Sequence, residues 1–371
     1  MNNPTPLLLT PGPLSTAPAT RAAMLRDWGS REPDFIALTR ELCKKVHDIA
    51  QKPASHVVVP IQGSGTYGIE AVLSTLIKPS QRLLVLSNGA YGQRIAAIAR
   101  RLGQDVQLLE HDERSALDLV QLERVLRDDP SISHVAMVHG ETSAGRINPV
   151  EHVERVVAAF GRRLLVDAMS TFGAYPIALE GTCIAALIAS CNKCLEGVPG
   201  IAFALVDSTA LAECDGVSRT TSLDLYAQWQ GFVANGQWRF TPPVQVVAAA
   251  VQALELHTEE GGVAARYHRY ATRSASLLGC LRTLGIEPFL PADVSSVCIT
   301  AFVLPQSLKD RFDAFVLELR QRGIAIYPGK LTTVTTFRIG CMGAFDADEW
   351  SWFLTVFTQL MAQVNSNGEV A

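Results

Sequence analysis

Charge is scarce in this sequence and neither sign dominates. Of 371 residues 18% are Asp, Glu, Lys or Arg, with 32 basic against 36 acidic side chains and a formal net charge of −4. The basic excess that neutralises a run of phosphates is missing, which argues against nucleic acid as a partner. Long hydrophobic runs are missing too. No stretch reaches the roughly 18 uncharged apolar residues of a membrane helix, so no span is expected. The opening Met-Asn-Asn-Pro-Thr-Pro-Leu-Leu-Leu-Thr-Pro-Gly-Pro has no basic region and is broken by proline, a poor match to a secretory signal. Internal repeats, low-complexity tracts and flexible linkers are absent, apart from a polar fringe after Val364. With 48% hydrophobic residues, what remains is a soluble, well-cored chain; at about 150 residues per domain it is long enough for two or three units.

Cysteine is present without a pattern that would use it. The eight cysteines, at positions 43, 183, 191, 194, 214, 280, 298 and 341, fall mostly in apolar runs. In a chain of this size that suggests buried thiols in a reducing compartment, and the cytosol is the expected location. Cys191 and Cys194 form a C-x-x-C, yet no second Cys or His pair lies at zinc-finger distance, so packing is the favoured reading over metal or redox use.

From about residue 56 short apolar runs alternate with longer helical ones. Strands are expected at 56–60, 82–87, 105–109, 134–138, 163–167, 186–190 and 201–206, with helices at 66–76, 93–102, 117–126 and 150–160. Continuous apolar strands separated by helices indicate a mostly parallel sheet covered on both faces. After residue 240 the rhythm changes. Two long helices at 244–257 and 263–284 are broken by Gly261-Gly262, and a smaller α+β unit comes after them, with strands at 297–304, 324–327 and 335–339, a helix at 308–322 and a last helix from about 346.

Ligands of open α/β sheets collect where strands end and helices begin. Gly63-Ser64-Gly65-Thr66 lies at such a junction, where close backbone approach, free helix-start amides and two hydroxyls suit a phosphate. It reads equally as an ordinary turn. It is neither a Walker A loop nor a G-x-G-x-x-G fingerprint, because the lysine and the third glycine are missing. Asp167 ends an apolar strand, where an acid is costly to bury without a cation. Lys193 comes after another such strand, where desolvation would lower its pKa toward that of a free amine. The two could simply pair with each other, or Lys193 could lie exposed on a loop. Tyr91, in Asn88-Gly89-Ala90-Tyr91-Gly92, is by itself a surface turn residue. Together, a phosphate cradle, a carboxylate, a lysine 26 residues further on and a covering aromatic are what pyridoxal 5'-phosphate requires.

With these junctions in place the chain resembles the fold-type I pyridoxal-phosphate aminotransferases of the alanine–glyoxylate and serine–pyruvate group (class V). The likeness runs from Leu7-Leu8-Leu9-Thr10-Pro11-Gly12-Pro13 to the final helix. Its most specific element is Asn192-Lys193-Cys194 followed by Glu196-Gly197-Val198-Pro199-Gly200, and Ile326-Tyr327-Pro328-Gly329-Lys330 and Phe337-Arg338-Ile339-Gly340 add to it. The stretch 222–229, Ser-Leu-Asp-Leu-Tyr-Ala-Gln-Trp, is most similar to members whose donor is 2-aminoethylphosphonate and whose acceptor is pyruvate. The resemblance implies a large cofactor-binding domain with a mostly parallel seven-stranded sheet at 16–262, a smaller C-terminal α+β domain at 263–371 and an N-terminal arm at 1–15. It implies that Lys193 carries the cofactor as a Schiff base and that Asp167 pairs with its ring nitrogen. Ser64, Gly65 and Thr66 would hold the phosphate, Tyr91 would stack on the ring, and Thr142 would contact the ring hydroxyl. Thr241 would reach the phosphate from the second subunit of a homodimer. Arg338 would grip a carboxylate or phosphonate by two parallel hydrogen bonds, with Lys330 nearby, or else serve a structural salt bridge. The stretch 28–35 matches the family loosely and leaves a role for Arg31 open. The implied reaction turns 2-aminoethylphosphonate and pyruvate into phosphonoacetaldehyde and L-alanine by a ping-pong route of phosphonate catabolism, without a metal.

Three rivals remain at this level. A serine- or alanine–glyoxylate-type transaminase would share every cofactor residue. A cysteine-desulfurase-like lyase would need a mobile cysteine, for which Cys341 is the one candidate near the right region. A non-catalytic binding protein on the same fold would have little use for both Lys193 and Asp167.

Overall fold

The structure is a computed structural model that describes residues 6–329 and 334–366. Strands β1 (His56–Gly63), β2 (Arg82–Ser87), β3 (Asp105–Glu110), β4 (Ile132–Val138), β5 (Arg163–Asp167), β6 (Ile184–Ser190) and β7 (Gly200–Asp207) form one seven-stranded sheet. Their order is β1-β7-β6-β5-β4-β2-β3. Every neighbouring pair is parallel except those of β7, which runs antiparallel to β1 and β6. The mostly parallel α/β expectation therefore holds. Side chains alternate between the two faces of a strand. Leu84 and Leu86 enter the core on one face with Met137, Val166 and Phe203, while Leu83 and Val85 join Leu165, Ile188 and Ile69 on the other.

Among the helices are α1 (Gly65–Leu76), α2 (Ala90–Arg101), α3 (Leu225–Asn235), α4 (Val244–Glu260) and α5 (Gly262–Thr283). Helix α2 begins three residues before the expected start at Gln93, so Tyr91 belongs to its first turn rather than to a loop. Gly261, at φ 111°, ends α4, and the expected break between the two long helices is there. Pro33–Ile49, where the sequence carries no expected element, is a helix whose buried Phe35, Thr39, Leu42 and Val46 recur at helical spacing.

A second, antiparallel sheet is made of β8 (Ile299–Val303), β9 (Tyr327–Gly329) and β10 (Thr336–Gly340), in the order β8-β10-β9. Helix α6 (Ala347–Ser366) and the C-terminal half of α5 pack on it. The core between them contains Leu277, Leu281, Phe302, Phe337, Phe353 and Phe357. The single strand expected at 324–327 is split. Ile324–Ala325 pairs in parallel with Leu7–Leu8 near the N-terminus, and only Tyr327–Gly329 joins the small sheet. The helix expected at 308–322 is confined to Phe312–Gln321. Among the described residues no helix is long and apolar enough to cross a membrane.

Candidate active site

The C-terminal ends of the parallel strands point one way, and four of the signals read from the sequence meet there. Strand β1 leaves the sheet at Gly63, whose φ of 130° is open to glycine and strained for other residues. A side chain at Gly63 would also strike the ring of Tyr67, 2.6 Å from the added carbon. Ser64 is extended and N-caps α1 without a side-chain hydrogen bond, so the first amides of the helix are left to an outside acceptor. A cavity of about 190 Å³ opens in front of them, lined by Ser64, Gly65, Thr66, Tyr91, Asp167 and Lys193. Six of the nine residues anticipated from the sequence thus line one space.

Asp167 and Lys193 do not pair with each other: among the described residues neither forms an ion pair. Asp167 is buried at the end of β5 and its Oδ1 accepts one hydrogen bond, from the Met169 amide at 2.9 Å. Burial, with Glu141 adding to it, pushes its carboxyl up to about 7, against the opposing pull of Lys193 and Arg94. Lys193 is half-buried on the loop after β6 and donates from Nζ to the carbonyl of Pro11. Desolvation lowers its amine to about 8; the nearby Arg338 acts in the same direction. The neighbour at its tip is Gly12, at φ 114°, where a Cβ would lie 2.7 Å from Nζ.

Arg338 stands on β10 and reaches this region from the small sheet. It is buried, donates from Nη1 to the Thr142 carbonyl at 3.2 Å, and has no partner for Nε among the described residues. Thr142 is buried in the tight connection between the short strands Gly140–Glu141 and Arg146–Ile147, beside the cavity's lining residues rather than among them. Burial lowers the guanidinium's pKa, offset by the Tyr91 phenol and by Glu141.

Several groups in this cluster carry little signal in the sequence. Glu141 is fully buried and accepts from the Tyr91 amide at 3.1 Å and the Gly92 amide at 3.3 Å, besides the Ser143 hydroxyl. It thereby holds the start of α2 and the Tyr91 that the helix carries. Its one signal is an acid in the Gly140-Glu141-Thr142 strand end. Arg94, one helical turn after Tyr91, lines the cavity with its guanidinium 4.6 Å from the Tyr91 ring centroid. For Gly12 the signal of close approach is a glycine between two prolines. Thr241 is exposed and Arg31 is exposed, and neither lines the cavity within this chain. Lys330 lies outside the described residues. Cys191 and Cys194 are buried free thiols, and burial pushes the Cys191 thiol up to about 12.

Comparison with known proteins places this geometry among relatives. The sequence model of the family described as aminotransferase class-V matches residues 19–343. A 2-aminoethylphosphonate–pyruvate transaminase of Pseudomonas aeruginosa is 46% identical over 344 residues, covering 93% of each chain. One of Pseudomonas putida is 43% identical over 359 residues, covering 97% of this chain and 98% of the relative. Among solved structures, ureidoglycine–glyoxylate aminotransferase of Bacillus subtilis superposes with a TM-score of 0.88 at 25% identity over 98% of this chain and 95% of its own. Pyridoxamine–pyruvate aminotransferase of Mesorhizobium loti gives the same TM-score and identity, covering 98% of this chain and 94% of its own.

Proposed function

The chain belongs to the class-V aminotransferase family, and from that premise we propose that it moves the amino group of 2-aminoethylphosphonate to pyruvate, yielding phosphonoacetaldehyde and L-alanine. The observation that carries this reading is Arg338, a buried guanidinium with a free Nε beside the lysine cavity. Both substrates are anions, a phosphonate and a carboxylate, and must use one site in turn. A guanidinium serves either by two parallel hydrogen bonds.

Membership of the family implies pyridoxal 5'-phosphate, and the residues fit it. The side-chain-free start of α1, the Asp167 carboxyl without a cation and the Lys193 amine without a carboxylate all line the same cavity. The cofactor, when bound, supplies an aldehyde that links amines and a ring that takes up the electron pair left when a carbon loses its proton. The amides and hydroxyls of Ser64, Gly65 and Thr66 would hold its phosphate, and Tyr91 would cover its ring. The Asp167 carboxylate would hold a proton on the ring nitrogen, regaining the cation that burial denies it. Thr142 would meet the ring hydroxyl. The Lys193 amine, held near neutrality by desolvation, is a free base in useful proportion at physiological pH. Its Nζ would accept the proton from the substrate's amine-bearing carbon and later return one. Pro11 and Gly12 keep that Nζ in place and leave room for little else.

The experiment is alanine formation from pyruvate with 2-aminoethylphosphonate, L-serine or glycine as donor. Turnover with the phosphonate is expected; turnover with serine or glycine alone would leave the class and overturn the donor. Arg338→Ala should raise KM for both substrates at least about tenfold, as the loss of a charge-assisted pair implies.

The same reading makes the protein a homodimer in which Thr241 of each subunit completes the other's phosphate site, supported by its exposure here. It divides the chain into an arm at 1–15, a large domain at 16–262 and a small domain at 263–371, supported by the separate core under the small sheet. A cytosolic location is supported by eight cysteines that are all free thiols.

A further inference from the structure

Three residues beyond Lys193, Glu196 adopts the left-handed conformation, at φ 56°. Such a conformation is uncommon for a residue with a side chain, and Glu is not among the types that favour it. The turn drives a carboxylate into the interior, where it is 6% exposed. Four groups from two other parts of the molecule converge on it. The Tyr270 hydroxyl donates at 2.6 Å and Arg269 Nη2 at 3.0 Å, both from α5, and Arg266 Nη1 lies at 3.7 Å. The fourth is the amide of Gly343, which donates at 2.9 Å from the turn after β10.

Each anchored piece bears on the reacting groups. The Glu196 amide donates to the Lys193 carbonyl at 2.8 Å, and Arg266 donates to the Cys194 carbonyl, so the lysine loop is gripped at both its carboxylate and its backbone. Gly343 lies three residues past the end of β10, and β10 carries Arg338. Arg269 and Arg273 each hold the Gly343 carbonyl at 3.0 Å, and Arg273 also holds that of Cys341. Burial opposes ionisation of Glu196, but Arg266 and Arg269 outweigh it and hold its carboxyl below the usual range. A buried ion pair of this kind is weak evidence for stability alone, since apolar packing of equal volume often does as well. What apolar packing cannot supply is a directional tie between two named backbones.

We propose that Glu196 is a positioning residue that fixes the distance between the Lys193 amine and the Arg338 guanidinium by tying the lysine loop to the turn after β10 through α5. The inference rests on the reaction proposed above. In 2-aminoethylphosphonate the anion is one methylene further from the amine-bearing carbon than the carboxylate of pyruvate is from its carbonyl carbon. A change in the spacing of amine and guanidinium therefore acts unequally on the two half-reactions, whereas a loss of stability scales both alike.

The test is single-turnover kcat/KM for each half-reaction in wild type, Glu196→Gln and Tyr270→Phe. The second variant keeps all three charges and removes only the hydroxyl, with its 2.6 Å hydrogen bond to Glu196 and a longer one of 3.5 Å to the Cys194 carbonyl, and it decides the matter if the first does not fold. The expected result is a change of at least fivefold in the ratio of the two kcat/KM values for Glu196→Gln, and a smaller change in the same direction for Tyr270→Phe. Ratios within twofold of wild type in every variant that folds overturn the proposal. If the wild type ignores 2-aminoethylphosphonate, the donor assignment fails by itself, and calorimetry decides about Glu196. A wider gap between the unfolding temperatures of the two domains in Glu196→Gln supports the tie, and an unchanged gap refutes it.

Discussion

At the scale of single residues, Asp167 and Lys193 are set apart by burial that their described neighbours only partly offset. The two make opposite pH signatures in the cofactor-free protein. Asp167 titrates at about 7 when folded against 3.8 when free, so the folded state holds its proton longer and stability falls as pH rises through that interval. Lys193 titrates at about 8 against 10.5, so the folded state gives up its proton first and stability returns as pH climbs through that second interval. Asp167→Asn should therefore leave the unfolding free energy of the apoprotein unchanged below pH 4 and raise it by a few kcal/mol at pH 8, while abolishing transamination. Urea unfolding across that range checks it, and a gain that persists at pH 3 contradicts the assignment. For Lys193 the expectation is kinetic: the rate at which apoprotein captures cofactor should rise through pH 8, followed by the visible absorbance. Gly12→Ala should cost about 1–3 kcal/mol from its backbone alone and should also suppress that absorbance, because the new methyl would lie 2.7 Å from Nζ. Asp167 and Lys193 are legible in the sequence in combination, an acid ending one apolar strand and a lysine just past another; either alone reads as an ion pair or a loop residue. Pro11 and Glu141 are not legible as site residues. Their partners, Lys193 and Tyr91, lie 182 and 50 residues away, and no local pattern encodes such contacts.

At the scale of elements, legibility tracks burial on both faces. Strand β6 is buried at every position, and β2 and β5 outrun their apolar runs by one residue at each end. Two-residue strands such as Gly140–Glu141 and Ile324–Ala325 have no period to read and are defined by their partners. Helix starts are harder than strands, because the first turn takes its conformation from what satisfies its amides. For α2 that is Glu141, from another part of the chain. For α3 it is local: Asp224 accepts from the Ala227 amide at 3.0 Å and also lies 3.6 Å from Arg239, which leads into Phe240 and Thr241. Asp224→Ala should cost about 1 kcal/mol of stability through the lost cap. It should also weaken cofactor binding, by freeing the segment that carries Thr241. Equilibrium dialysis against the wild type separates the two effects, and unchanged binding would mean that the Asp224–Arg239 pair does nothing for the Thr241 segment.

At the scale of the whole molecule, the face beside the Ser64-Gly65-Thr66 turn is incompletely covered in one chain. A groove of about 530 Å³ runs past Gly63, lined by Tyr67, Leu223, Trp238 and Phe240 among others. Tyr67 and Phe240 are each about half exposed, at 52% and 53%. Aromatic rings grouped on one exposed face mark an interaction surface more often than single exposed apolar residues do. A two-fold axis would press this face against its own copy, and residues adjoining Phe240, Thr241 among them, would then approach the same turn of the other subunit. Phe240→Asp should accordingly give a monomer in analytical ultracentrifugation and a loss of at least about tenfold in cofactor affinity, the equivalent of roughly 1.4 kcal/mol. Thr241→Ala should remain dimeric and lose affinity alone, because it removes a contact without removing the aromatic that buries the face. A monomeric Phe240→Asp protein that binds cofactor as tightly as wild type would mean that each chain builds its phosphate site unaided. The coupling between assembly and cofactor then disappears, and the exposed rings need another occupant.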